Sequence, residues 1–232
     1  MKKQIFPSLH GQRPSPLLTF GNTFRTGLAV SAAILPMLLF PVTGSAQLNQ
    51  ELEVTTIAPA FIKSPEFSIG VGPQKRAKSE DWLEVEAEFS FQPRGAQEIP
   101  FADDLTFTYY ILLNNKDAKN PRGSLLVGQV SHNAVAIGKG MRSVMYLSPR
   151  TLQRFFGGKV PSTAAAAVQD VAVTITRQGQ LVAAKNWKYA GSEQWWTTLQ
   201  QTQGFVLNKN ETPFAPLFWD YYEAIKAKPP GL

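Results

Sequence analysis

The sequence predicts a mainly β fold, an antiparallel β-sandwich with short helices, one of them C-terminal. Three observations carry this. In the segment 81–91, Leu83, Val85, Ala87, Phe89 and Phe91 fall on one parity and Glu84, Glu86, Glu88 and Ser90 on the other. Successive side chains point to opposite faces of a strand, so this stretch lays an apolar stripe on a core and three carboxylates in water. Wound as a helix, the same residues would scatter around the axis and bury charge. Beyond it, roughly eight segments of strand character are separated by turn signals about every ten residues, the spacing of a sandwich. The chain also has no cysteine, so its stability must come from a buried core rather than from cross-links, which its length allows.

The elements follow in order. Residues 52–57 read as a first strand that Pro59 breaks, and 67–71 as a short edge strand; Lys75-Arg76-Ala77-Lys78 is a solvated loop. After the anchor strand, Pro93-Arg94-Gly95 turns the chain and Asp103-Asp104 opens the next strand. Residues 105–113 are rich in the aromatic and branched side chains that strands favour. A polar connection leads to a strand at 125–131, a bulge near His132-Asn133 and a continuation at 134–137. Gly138-Lys139-Gly140 reads as a hairpin turn before a returning strand at 141–147. Ser148-Pro149 has the capping hydroxyl and first-turn proline of a helix start, and Gly157-Gly158 ends that helix. Residues 168–176 and 181–189 form a second hairpin about Arg177-Gln178-Gly179-Gln180. Residues 205–207 make a short strand, and 216–226 an amphipathic helix with Leu217, Tyr221 and Ala224/Ile225 on one face.

The first 46 residues read as a leader. Lys2, Lys3, Arg13 and Arg25 precede an apolar run from Gly27 to Val42, and Gly44-Ser45-Ala46 supplies small residues before Gln47. Pro36 and Pro41 interrupt a run already short for a membrane span. The expectation is a cleaved signal peptide at 1–46, a single domain at 47–232, export to the periplasm or cell surface, and no stable membrane span after cleavage. The whole chain carries a formal charge of +6, but the leader holds four basic residues and no acidic ones. The remainder is close to neutral, which gives no reason to expect a nucleic-acid partner.

The chemistry-bearing residues are few. Past the leader only His132 remains among histidines, in a predicted strand between Ser131 and Asn133, and no Gly-x-Ser-x-Gly elbow accompanies it. A zinc site would need mostly carboxylates. Asp103, Asp104 and Asp117 lack the spaced oxygen ligands of a calcium loop and read as turn formers. Glu84, Glu86 and Glu88 share one solvated face, where nothing raises a pKa as a glycosidase acid requires. Gly138-Lys139-Gly140 is too short for a phosphate loop. No catalytic residue, metal or cofactor is expected.

Binding is the better prospect. Trp187, Tyr189, Trp195, Trp196, Trp219, Tyr221 and Tyr222 crowd the last fifty or so residues, where rings serve either as core or as contact surface. Trp195 and Trp196 cannot both face one side of a strand, so at least one is a candidate partner contact. Glu84, Glu86 and Glu88 are candidates for docking to a basic surface. The alternative function is a carbohydrate- or surface-binding module built on the C-terminal aromatics.

Several of these segments together resemble a known family. The Leu52-Glu53-Val54-Thr55 start, the 81–91 strand, the Ser148-Pro149 helix, Trp195-Trp196 and Leu217-Phe218-Trp219-Asp220-Tyr221-Tyr222 are similar to the exported immunoglobulin-like protein of the conserved verrucomicrobial type IV pilus gene cluster, of the Akkermansia type. The resemblance implies an immunoglobulin-like β-sandwich that works in the cell envelope, with envelope or pilus-assembly proteins as partners. It implies neither an enzyme nor a cofactor, and it leaves a homo-oligomer open. The leader differs from that of a filament-forming pilin, with Ala32 where pilins carry glutamate.

Overall fold

The computed structural model describes residues 51–66, 79–93, 101–118, 120–189, 194–218 and 220–227. The leader, the expected edge strand at 67–71, the basic loop at 75–78, Arg94-Gly95 and Trp219 lie outside the described residues. Everything described belongs to one compact unit within Ser45–Leu232.

Strand-forming segments organise that unit. In chain order they are β1 (Leu52–Lys63), β2 (Asp81–Phe91), β3 (Phe101–Ala102), β4 (Leu105–Leu113), β5 (Leu125–His132), β6 (Val135–Ala136) and β7 (Gly138–Leu147). Helices α1 (Pro149–Phe155) and α2 (Ala164–Ala167) precede β8 (Val168–Arg177), β9 (Gln180–Asn186), β10 (Gln201–Gln203) and β11 (Val206–Asn208). One sheet runs β1-β2-β7-β11 and the other β10-β5-β4-β8-β9, while β3 and β6 pair as a small ribbon. Within these, β1-β2-β7 and β5-β4-β8-β9 have the order of the A-B-E and C′-C-F-G strands of an immunoglobulin sandwich. The fold is a mainly antiparallel β-sandwich; β10 against β5 is a parallel pair.

The alternation in β2 works as the sequence reading expects. Leu83, Val85, Ala87 and Phe89 are fully buried and face Leu105, Phe107, Tyr109 and Ile111 of β4, equally buried, across the gap between sheets. The Phe89 and Phe107 rings meet at 4.8 Å. Each such ring contributes about 1.5–3 kcal/mol through removal from water. Ser148 Oγ accepts from the Thr151 amide at 3.2 Å and starts α1 at Pro149, as its sequence dictates.

Three local expectations are corrected. Pro59 does not end β1. Among the described residues that strand is a sheet edge paired with β2 alone, a position where proline is tolerated. Gly138-Lys139-Gly140 is not a hairpin turn, because β6 pairs with β3 while β7 joins β2 in another sheet. Phe89 opposes Met141 and Phe91 opposes Gly138, which leaves an extra residue in β7, and Gly140 absorbs that bulge at a φ of +74°. The C-terminal helix expected at 216–226 is absent among the described residues. Phe218 has a φ of +55°, outside right-handed helix space, and beyond it the backbone bonds to the sheets. The Glu223 amide donates to Arg142 O at 2.9 Å and the Lys226 amide to Ser131 O at 2.8 Å, with Ile225 bridged to His132. Among the described residues no helix is long and apolar enough to cross a membrane.

Candidate functional site

The candidate site is the outer face of the four-stranded sheet together with the C-terminal segment laid over it. Strand parity sends Glu84, Glu86 and Glu88 to this face, and the β2–β7 register sets Tyr146 beside Glu84, Val144 beside Glu86 and Arg142 beside Glu88. The carboxylates are half-buried rather than bathed in water, which corrects the sequence expectation. The cause is a covering segment far along the chain. After β11, a reciprocal cap between Asn208 and Glu211 turns the backbone, and Lys209 Nζ donates to Ala215 O at 2.9 Å. Burial lowers the Lys209 pKa. Phe214 then drops onto the sheet, stacked on Tyr146 at 4.9 Å and edge-on to Trp82 at 5.7 Å. Val144, Ile62, Leu217 and Tyr222 complete this small outer cluster.

Polar contacts hold the rest of the segment. The Tyr146 hydroxyl lies 3.0 Å from Glu84 Oε2, and the Tyr222 hydroxyl lies 3.4 Å from that oxygen and 3.2 Å from Glu86 Oε2. Arg142 pairs with Glu86 at 3.2 Å and Glu88 at 3.1 Å, and its guanidinium sits 4.4 Å from the centre of the Tyr221 ring. Burial is the main cause that raises Glu84 above the ordinary carboxylate value, opposed by the Tyr146 hydrogen bond and reinforced by the charge of Glu86. Burial likewise raises Tyr146 and Tyr222, and the neighbouring Glu84 carboxylate adds to both shifts. The sequence reading that nothing on this face perturbs a pKa is therefore also corrected. Lys226 closes the segment by pairing with Asp104.

His132 lies on the other side of β7, in the core. Its Nε2 is 2.9 Å from Ser143 Oγ and its Nδ1 is 3.2 Å from Ala224 O. It is 1% exposed and Ser143 is fully buried. Burial pulls the imidazole pKa down to about 4, against the raising effect of its backbone hydrogen bonds. The third position of a catalytic triad is taken by a backbone carbonyl, and the serine hydroxyl has no route to solvent. Asp103 accepts from the Ala134 amide at 2.7 Å, a bond that ties two segments 31 positions apart and not a local turn.

Trp195 and Trp196 sit in a 3-10 turn at Trp195–Thr197 rather than on a strand. Trp196 is 5% exposed and stacks on Tyr110 at 5.5 Å, over Leu112, Leu125, Val127 and Ala172 on the outer face of the five-stranded sheet. Trp195 is half-buried and edge-on to Trp196. The structure thus separates the proposed contact residues: the glutamates lie on one outer face and the tryptophans on the other. The aromatic side chains that face solvent include Phe218 at 54%, Tyr221 at 48%, Phe101 and Tyr189. Sequence reasoning missed Arg142, Tyr146 and Phe214 as partners of the glutamate face. The parity of Arg142, Val144 and Tyr146 within 141–147 could have found two of them.

A protein-family model matches residues 43–229, which takes in the whole sandwich. The chain belongs to that family. Among solved structures, the crystal structure of a protein from Akkermansia muciniphila matches with a TM-score of 0.65 at 24% sequence identity, covering 77% of this chain and 94% of that one. This likeness supports the fold, and it agrees with the verrucomicrobial resemblance of the sequence. A search of curated proteins finds no match.

Proposed function

We propose that this family member is an exported, non-catalytic protein of the cell envelope that acts through protein–protein contacts, as an accessory of a type IV pilus-like system. One observation carries the reading. The side chains with reactive potential are committed to the fold: His132 and Ser143 to each other in the core, and Glu84, Glu86 and Glu88 to tyrosines and Arg142. The rings that remain half in water, Phe218 and Tyr221, sit on an irregular segment whose backbone the sheets fix from below. Exposed aromatics on a rigid base lose little side-chain freedom on docking, which suits a contact surface.

The test is affinity capture from an envelope fraction, scored for type IV pilus-assembly proteins. Enrichment that falls when Phe218 and Tyr221 are both changed to serine supports the reading; repeated captures with no pilus component above background remove it. A carbohydrate-binding role has one supporting observation, the Tyr221 ring held open over Arg142. It predicts glycan retention that Tyr221→Ala abolishes.

A further inference from the structure

The Tyr222 hydroxyl stands between two carboxylates, and the protons available do not satisfy every contact. Three phenol–carboxylate contacts are made, Tyr146 to Glu84 at 3.0 Å, Tyr222 to Glu84 at 3.4 Å and Tyr222 to Glu86 at 3.2 Å, beside an interaction between the two phenols themselves. Two phenols bring two protons. A carboxylate can only accept, so with both glutamates ionised one contact is left as an unbonded pair of oxygens. A proton on Glu84 Oε2 completes the set: that oxygen accepts from Tyr146 and donates to Tyr222, and Tyr222 donates to Glu86, whose charge Arg142 balances.

We propose that Glu84, Tyr222 and Glu86 form a proton-dependent clasp, which fastens the C-terminal segment to the sheet when Glu84 carries a proton and loosens when both carboxylates are ionised. The clasp does not rest on the partner reading above, although the segment it fastens is the one that carries Phe218 and Tyr221. The neighbourhood supports it. β2 contributes Glu84, Glu86 and Glu88, and β7 contributes Tyr146 and Arg142. The segment itself contributes Tyr221, Tyr222, Asp220 and Glu223, and the turn after β11 contributes Lys209, whose amine is directed to a carbonyl. From β1 the residues opposite Glu84 and Glu86 are Ala60 and Ala58, which add no charge. Arg142 is the cation bonded to these carboxylates, and it contacts Glu86 and Glu88 rather than Glu84. Burial, with the nearby charge of Glu86, raises the Glu84 pKa and so favours its protonated form.

The amides of Glu223 and Lys226, which donate across to Arg142 and Ser131, report whether the segment is fastened. Hydrogen exchange of the full chain, corrected for intrinsic rate, is compared at pH 5 and pH 8 for the native sequence and Glu84→Gln. The glutamine amide donates to Tyr222 at every pH. Native protection at these amides falls by about tenfold more than in the variant as pH rises. Glu223 is present in both chains, so its own titration cancels in the comparison. Equal slopes in the two proteins overturn the clasp. Should Glu84→Gln fail to fold, Tyr222→Phe keeps the ring and removes the bridge; it must lose the pH dependence, and a native slope in that variant overturns the proposal equally.

Discussion

His132 Nε2 reaches 2.9 Å across the sandwich to Ser143 Oγ, joining β5 of one sheet to β7 of the other. On the far side of the ring, Nδ1 holds Ala224 O of the C-terminal segment. A single imidazole therefore ties together both sheets and the segment that covers one of them. A carbonyl only accepts, so Nδ1 donates to Ala224 O; burial keeps the ring neutral, and Nε2 then accepts from the Ser143 hydroxyl.

The ring makes folding sensitive to acid. Free histidine titrates near 6.5, whereas buried His132 takes a proton only near about 4. Between those values the unfolded chain binds a proton that the folded chain refuses, so stability is complete above the unfolded value and declines as pH falls through the window. The shift corresponds to roughly 3 kcal/mol. Glu84 and Glu223 are raised rather than lowered, so their contribution has the opposite sign. Urea denaturation at stepped pH should show native stability falling more steeply from pH 6.5 to pH 4 than that of His132→Gln, which starts less stable at neutral pH. Parallel curves for the two proteins would contradict the assignment.

Much of the sandwich is legible in the sequence where a pattern has room to repeat. Residues 83–91 give five apolar and four polar positions in strict alternation, and Gly179 marks a turn at a φ of +79° that glycine adopts freely. β10 is three residues, too short for any period to show, whereas β11, equally short, falls one residue beyond the strand expected at 205–207. The segment 216–226 misleads for a physical reason: Leu217, Tyr221 and Ile225 are spaced for one helix face, yet a loop can drop rings onto a sheet at the same spacing. The partners of the glutamate face were hidden by distance, since Tyr222 reaches Glu84 across 138 positions of sequence.

Gly128 marks where the sheets approach most closely for a missing side chain. A Cβ placed there would lie 2.6 Å from Val206 Cβ, 2.7 Å from Val206 Cγ1 and 2.8 Å from Met145 Cε. Gly128→Ala should cost about 1–3 kcal/mol, because the facing strand must move. Gly138→Ala is the control, since its Cβ would meet only Met141 Sδ at 3.8 Å, an ordinary contact. Thermal unfolding of both variants checks the pair, and equal midpoints would mean that the sheets can part at no cost.

Trp196 should behave as a core residue. It is 5% exposed and stacked on Tyr110, so Trp196→Ala should lose about 3–5 kcal/mol, as large buried rings do. Half-buried Trp195 should lose less. A Trp196→Ala protein with native stability and impaired partner capture would instead make this ring a contact residue.

Phe218 and Phe214 share one segment and should respond in opposite ways. Phe214 is buried between Tyr146 and Trp82, so Phe214→Ala should cost about 3–5 kcal/mol and free the segment. Phe218 is 54% exposed at a φ of +55°, a conformation that costs a bulky residue about 1–2 kcal/mol and that asparagine tolerates better. Phe218→Asn should therefore leave the fold as stable as before or raise its melting temperature by about 2–4 °C, while capture of a pilus-assembly partner weakens. The two measurements separate strain from contact. A Phe218→Asn chain that melts as early as Phe214→Ala would show that the ring supports the fold, and the docking surface would then have to be sought elsewhere.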